Sequence, residues 1–384
     1  MPTYRNSSIM LATIKQPKTK KEFEAYYLLR WRILREPWQQ PKASEKDELE
    51  NESFHIMACD ENNNVVGVGR LHFNNESEAQ IRYMAVDLEH TNQGIGKSIL
   101  NALEEKSRQE HCTTIILDAR ELAVNFYEKQ GYNIVNESYL LFDSIQHEKM
   151  KKIIHKSATR GVANHGWLTS HHTFSFAGYQ NHERMNFGML RVLNDDIVQP
   201  KMGFGTHPHK NMEIISIPIS GALSHKDNMD NKRSIEVGEV QVMSAGIGVT
   251  HSEFNDSTTN EVNFLQLWII PETENSTPYY DQKTFDENGR HNKFQTLVSP
   301  KSNQVKGSLP IHQQAYISMI DLEANFTTEY QLKNGAYFFL IEGEILIADE
   351  KLQKRDAIGI SEIEKVVIKA NQQSKLLVID VPMS

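Results

Sequence analysis

Two short stretches constrain this chain more than any others. Thr206-His207-Pro208-His209 and Thr250-His251-Ser252-Glu253 each place two metal-binding side chain types at i and i+2. On a β-strand such residues project to the same face. Two of these strands side by side in a small barrel would gather three imidazoles and one carboxylate at one point. A set of His207, His209, His251 and Glu253 suits a divalent first-row transition metal. His225 and Glu213 stand nearby as rival donors. Pro208 between two donors suits an edge strand or a bulge, which leaves the site reachable.

The sequence around these pairs has the texture such a barrel needs. From Arg160 onward short apolar runs alternate with Gly, Asn, Asp and Pro, and helical periodicity is poor. That pattern indicates all-β architecture. His171 and His172 are adjacent and so face opposite sides of a strand, which suits structural roles. Before Arg160 the pattern differs. Lys18–Arg32 carries Phe23, Tyr27, Leu28 and Trp31 at helical spacing. Leu11–Lys15, Phe54–Cys59, Val65–Phe73, Ile81–Val86 and Thr114–Asp118 read as strands, with Asp60–Asn64 as a hairpin turn. Ser138–Phe142 is expected to be the last strand of this half. The charged run Lys149–Arg160 separates the two textures and is expected to link two domains.

In the first half, His90-Thr91-Asn92-Gln93-Gly94-Ile95-Gly96-Lys97 leads into a helix expected from about Ser98 to Gln109. A glycine-bearing loop that opens a helix presents free N–H groups and a positive dipole end, a seat for a pyrophosphate. Asn125-Phe126-Tyr127-Glu128-Lys129-Gln130-Gly131-Tyr132 then forms a helix from Ala123 that ends on glycine.

This order of strand, GxG loop, helix, strand and NFYEKxGY resembles the GNAT family of acyl-CoA N-acyltransferases over about residues 9–148. The resemblance implies an α/β domain, a mixed central sheet flanked by helices, assigned to residues 1–150. It implies acetyl-CoA as co-substrate and an amine acceptor. The backbone of Met84, Ala85 and Val86 would pair with the pantetheine arm. Amides of Gln93, Gly94, Ile95, Gly96 and Lys97 would hold the pyrophosphate, and Asn125 would touch the cofactor. Tyr127 would protonate the departing thiolate. Thr91 departs from the family, which usually carries Gln or Arg there. Glu76, Glu78 and Asp87 are base candidates, each also readable as a solvated surface charge.

In the second half, HGW (165–167), HTFSF (172–176), RVLNDD (191–196), HPHxxMEI (207–214), SAGxGVxHSEFN (244–255) and FLQLWI (264–269) resemble the pirin family, a bicupin of two small β-barrels. The resemblance covers about residues 158–384. It implies a metal-bearing cupin over 158–271 and a second cupin over 272–384 without the metal set. It places the family's ligands on His207, His209, His251 and Glu253, with Glu253 also catalytic. Iron is the first metal it implies, with nickel, copper, cobalt, manganese or zinc as alternatives.

The implied activity is quercetin 2,3-dioxygenase-like, with a flavonol and O2 as substrates. The alternative is a metal- and redox-sensing regulator that docks on a partner protein. The whole chain then reads as a bifunctional protein.

Bulk composition sets the outer limits. At 384 residues two or three domains are expected. A net charge of -9 offers no basic surface to nucleic acid or anionic membrane. Cys59 and Cys112 form no CxxC, which fits a reducing compartment. No stretch reads as a signal peptide or a membrane span, so a cytoplasmic protein is expected.

Overall fold

The computed structural model describes residues 12–142, 144–182 and 184–384. Leu11, expected at the start of the first strand, lies outside them; that strand is seen as Thr13–Lys15. The chain divides into two units, residues up to 127 with 132–153, and residues 128–131 with 154–384. Among the described residues no helix is long and apolar enough to cross a membrane.

In the first unit, strands Thr13–Lys15, Phe54–Cys59, Val65–Phe73, Glu78–Val86 and Thr114–Arg120 lie side by side in that order. Ile145–His155 pairs with Thr114–Arg120, and Asn133–Leu141 pairs with Ile145–His155. Neighbours are antiparallel except Glu78–Val86 with Thr114–Arg120, which run parallel. Helices Lys20–Leu34 and Ile95–Gln109 cover the two faces. The period-2 geometry of a strand shows in Phe54–Cys59. Its Ile56 and Ala58 join the core under Ile95, Ile99 and Leu103, while Met57 and Cys59 join the core under Tyr26 and Leu29.

Gly67 and Gly69 let the second helix approach closely. A Cβ on Gly67 would lie 2.6 Å from Ile99 Cδ1, and one on Gly69 would lie 2.7 Å from Ile99 Cγ2. Thr19 and Glu22 form a reciprocal capping box at the start of the first helix.

Three expectations are corrected here. The second helix begins at Ile95 rather than Ser98, and the helix carrying Tyr127 spans only Val124–Glu128. Asn133–Leu141 is followed by a further strand, Ile145–His155, which occupies much of the expected linker. In that strand Lys152 is buried against Glu104, Nζ to Oε1 3.1 Å.

In the second unit, the first barrel faces a seven-stranded sheet with a four-stranded one. Across the larger sheet the order is Tyr279–Thr284, Glu239–Ser244, Glu213–Ser220, Val262–Ile269, Leu190–Val198, Leu168–His172, Gly161–Asn164. The smaller runs Gly203–His209, Val249–Phe254, Ala222–Asp227, Lys232–Glu236. Leu223 and Ile235 of the smaller sheet pack against Val198, Val262 and Phe264 of the larger. The second barrel closes around Phe338, Leu340, Ile345, Ile358, Ile368 and Val378. Both clusters of three metal-binding side chains found among the described residues lie in the first barrel.

Candidate metal centre and acetyl-CoA site

Strands Gly203–His209 and Val249–Phe254 are antiparallel neighbours, with His207 directly opposite His251. The first is the edge of its sheet, and its register shifts between Phe204 and His207, in keeping with Pro208. The result is a convergence of imidazoles. His251 Nε2 lies 3.0 Å from His207 Nε2 and 3.0 Å from His209 Nε2.

Hydrogen bonds behind the rings assign the tautomers that this convergence needs. His207 Nδ1 donates to the Gly205 carbonyl at 2.8 Å, leaving Nε2 as a lone pair. His225 Nε2 donates to Asp227 Oδ2 at 3.0 Å, so its Nδ1 accepts from His251 Nδ1 at 3.4 Å. His251 Nε2 is then a lone pair as well. Burial, then the neighbouring rings, hold the His251 imidazole down to about 2, and burial with His207 holds His209 down to about 4. The Nε2 lone pairs of His207 and His251, turned on one another at 3.0 Å, repel unless a cation sits between them. Two nitrogens each about 2.1 Å from a metal, at a right angle, stand about 3.0 Å apart. The donor set fits a divalent metal.

Glu253 stands beside this trio rather than within it. Its carboxylate groups with the donor atoms of His225 and His251, all within 4.8 Å of one another. Gln266 Nε2 donates to its Oε2 at 3.0 Å and to its Oε1 at 3.2 Å, and Ser216 Oγ to Oε1 at 3.4 Å. Burial pushes this carboxyl up to about 7 against those hydrogen bonds. The rivals are placed as well. His225 backs His251, whereas Glu213 opens a strand of the other sheet and accepts from Ser244 at 2.5 Å.

His207, His209 and Glu253 open into a cavity of about 610 Å³, with Trp167, Phe176, Phe204 and Trp268 among its walls. The residues Asp195 and Asp196 divide across their strand. Asp195 faces Arg160 and Arg355, at 3.6 and 3.2 Å. Asp196 faces the cavity, where the Ser170 hydroxyl donates to it. Burial pushes the Asp196 carboxyl up to about 7, with Glu253 acting in the same direction. His172 Nδ1 donates to Asn194 Oδ1 at 3.0 Å and its ring stacks on Tyr179.

The first unit offers a different chemistry. The ladder between Glu78–Val86 and Thr114–Arg120 ends at Ile81 and Leu117. Beyond it, among the described residues, no strand pairs with Met84, Ala85 and Val86 on that side. Tyr83 sits at φ 57, at a register shift of its strand against Val65–Phe73, just past the point where the pairing with Thr114–Arg120 ends and the two strands splay. Gly94 caps the helix Ile95–Gln109 at φ 82 with no side chain over it, so the amides of Ile95, Gly96 and Lys97 point outward. Gln93 precedes them, and Asn125 is exposed. Tyr127 is buried, its hydroxyl 3.6 Å from Met84 Sδ, and burial raises its pKa well above the ordinary phenol range. It borders a cavity of about 190 Å³ in the splay. Among the described residues lining that cavity the carboxylate is Asp118. Asp87 instead pairs with Arg32, and Glu78 accepts from Asn74.

Comparison with known proteins finds relatives for both parts of the chain. Residues 154–269 match the pirin family, residues 296–381 the quercetinase C-terminal cupin domain, and residues 23–132 the acetyltransferase (GNAT) family. Quercetin 2,3-dioxygenase of Escherichia coli (strain K12) is 38% identical over 232 residues, 60% of this chain and 98% of that protein. The chain belongs to the pirin family. A pirin-like protein of Caulobacter vibrioides is 39% identical over 223 residues, 57% of this chain and 95% of that one. The crystal structure of YhhW from Escherichia coli superposes with a TM-score of 0.58 at 37% identity, covering 61% of this chain and 98% of its own. The bacterial pirin YhhW in complex with nickel(II) gives 0.57 at 36% identity, over 61% and 100%. Ahead of its pirin part, this chain carries a GNAT acetyltransferase domain.

Sequence reasoning singled out the four cupin donors but passed over His225 as a support, and Asp196, Gln266 and Trp268 as cavity wall. RVLNDD and FLQLWI held the signal in their i,i+1 and i,i+2 spacing. Nothing in the sequence pointed to Asp118 or to the arginines beside it.

Proposed function

We propose that the pirin part is a metal-dependent dioxygenase acting on flavonols such as quercetin, and that the first domain is an acetyl-CoA-dependent N-acetyltransferase. The observation that carries the first half is the convergence of three imidazoles, with the Nε2 atoms of His207 and His209 each 3.0 Å from His251 Nε2, beside an aromatic-lined cavity that His207 and His209 line. A metal held by His207, His209 and His251, with Glu253 adjoining, would supply Lewis acidity toward an enolic hydroxyl and the means to engage O2. Iron is the expected ion, with other first-row divalent metals able to load the same donors. Trp167, Phe176, Phe204 and Trp268 would sandwich planar rings and exclude water. A carboxylate oxygen of Glu253, with its proton affinity set near neutrality, would take the hydroxyl proton of the substrate. The open cavity favours catalysis over a buried regulatory metal that docks a partner protein.

In the acetyltransferase, the free edge at Met84–Val86 and the helix amides at 95–97 would hold acetyl-CoA. The Tyr127 hydroxyl keeps its proton until a thiolate departs.

The deciding experiment is an aerobic assay of metal-loaded protein with quercetin, followed by loss of its visible absorbance, with metal content by elemental analysis. Turnover is expected in the native chain. His207→Ala is expected to lose both metal and turnover; a variant that still consumed quercetin at the native rate would refute this centre.

A further inference from the structure

The cavity beside Tyr127 holds two guanidinium groups that no carboxylate among the described residues pairs. Buried arginines elsewhere in this unit are bracketed by carboxylates. Arg30 pairs with Glu50 at 2.5 Å, and Arg70 with Glu50 at 2.7 Å and with Asp47. Arg82, on the cavity rim, has Asp47 at 3.6 Å. Arg35 and Arg120 have no carboxylate within 4.0 Å among the described residues.

Both are nevertheless held in place, and held together. Arg35 is only 9% exposed; its Nε donates to the Ser44 carbonyl at 3.0 Å and its Nη1 to the Leu34 carbonyl at 2.9 Å. Arg120 Nη2 donates to that same Leu34 carbonyl at 3.3 Å, and its Cζ sits 4.4 Å from the centroid of the Trp38 ring. Two like charges thus converge on one carbonyl oxygen at the wall of a cavity. Keeping them there is costly unless an anion arrives, since a buried charge is stable only when paired. Burial, and after it the neighbouring Arg35, draws Arg120 below the ordinary guanidinium range.

Besides Arg82, the other charged and titratable groups lining this cavity are Asp118 and His147, with Tyr83, Tyr127 and Tyr139. Asp118 is fixed by Ser138 Oγ at 2.5 Å and Gln80 Nε2 at 3.1 Å, and its remaining lone pairs suit an ammonium.

The geometry points to an acetyl acceptor that is a small amine bearing a carboxylate, an amino acid type of molecule, with the carboxylate on Arg35 and Arg120 and the amine toward Asp118. Guanidinium forks match a carboxylate bidentately, and a cavity of about 190 Å³ admits a small molecule. This inference rests on the acetyltransferase reading above. In the reaction the ammonium first loses a proton to solvent. The amine nitrogen then bonds to the acetyl carbon as the C–S bond breaks; the nitrogen gives up its second proton to solvent, and the thiolate takes the Tyr127 proton, which solvent restores. The products are the N-acetyl amine and free CoA thiol, with no oxidant or reductant needed.

The test uses the full chain with acetyl-CoA and pairs of acceptors, each amino acid beside the amine left when its carboxylate is removed. Release of free thiol reports acetylation, and calorimetry reports acetyl-CoA binding. The carboxylate-bearing member of at least one pair is expected to give a kcat/KM at least about 10-fold higher, from loss of charge-assisted hydrogen bonds in the other. Arg120→Gln and, separately, Arg35→Lys are expected to raise KM for that acceptor about 10-fold or more. The preference for the carboxylate-bearing member of the pair should shrink with it, while acetyl-CoA still binds by calorimetry. Equal rates within every pair, acetylation of no carboxylate-bearing amine, or variants with unaltered KM would each overturn the assignment. If acetyl-CoA binds and amines are acetylated without preference, the carboxylate assignment alone fails. If the native chain does not bind acetyl-CoA, the acetyltransferase reading fails and takes this inference with it.

Discussion

His251 illustrates how one residue depends on another outside the trio it forms with His207 and His209. Its Nε2 lone pair faces His207 and His209 because its other nitrogen gives a proton to His225, which in turn gives one to Asp227. His225→Phe would keep the ring that packs on Tyr280 at 4.8 Å and remove the acceptor. Metal affinity is expected to fall about 10- to 100-fold, as for other lost outer hydrogen bonds to a ligand, with circular dichroism unchanged. An unaltered dissociation constant by competitive chelation would discard the relay.

A second residue makes a pH prediction. Asp196 keeps its proton up to about 7 in the folded chain, against 3.8 ordinarily. Between those values the folded state binds more protons than the unfolded one, so stability falls as pH rises. From about pH 5.5 to about pH 7.5 metal-free protein should lose about 2 kcal/mol through this group, and Asp196→Asn should lose that much less. Identical pH slopes in urea titrations of the two proteins would contradict it.

The convergence of His207, His209 and His251 was legible because i,i+2 spacing alone puts these side chains on the facing sides of two strands. His225 and Asp196 were not, since their roles arise from partners on strands distant in sequence.

The element that decides the metal geometry is the edge strand Gly203–His209. Gly203 lies so close to its neighbour that a Cβ would stand 2.2 Å from the Glu253 carbonyl and 2.6 Å from Phe254 Cα. Gly203→Ala should pry the strand outward and carry His207 and His209 from His251. The expected loss of stability is about 1–3 kcal/mol, typical of overpacking, together with weaker metal binding. Native metal affinity in a folded Gly203→Ala protein would show that this register does not set the site.

Strands of this kind, with alternating or apolar runs bounded by turns, could be read from the chain. Ile145–His155 could not. Its Lys149, Lys151 and Lys152 suggested a solvated linker, and only the fold reveals that Lys152 turns inward to Glu104. The splay at Tyr83 was equally hidden, because a positive φ at a tyrosine leaves no mark in the sequence.

On the scale of the whole molecule, the two proposed activities use different residues and different cofactors. The metal donors lie within residues 207–253, and the acetyl-CoA groups within 84–127. The residues for one half ask for a cation; those for the other present backbone amides and a tyrosine hydroxyl, with no metal in their chemistry. Chelation of the metal is therefore expected to abolish quercetin consumption and leave the acetyl-CoA affinity of the same sample unchanged. Gly94→Glu should do the reverse. A side chain at φ 82 is strained, and its carboxylate would meet the pyrophosphate at the helix start, so acetyl-CoA binding should fall about 10-fold or more. Calorimetry with acetyl-CoA and absorbance with quercetin, run on native, chelated and Gly94→Glu samples, give the crossed comparison. Loss of both activities under either treatment would mean that one site needs the other, and the bifunctional reading would have to become a coupled one.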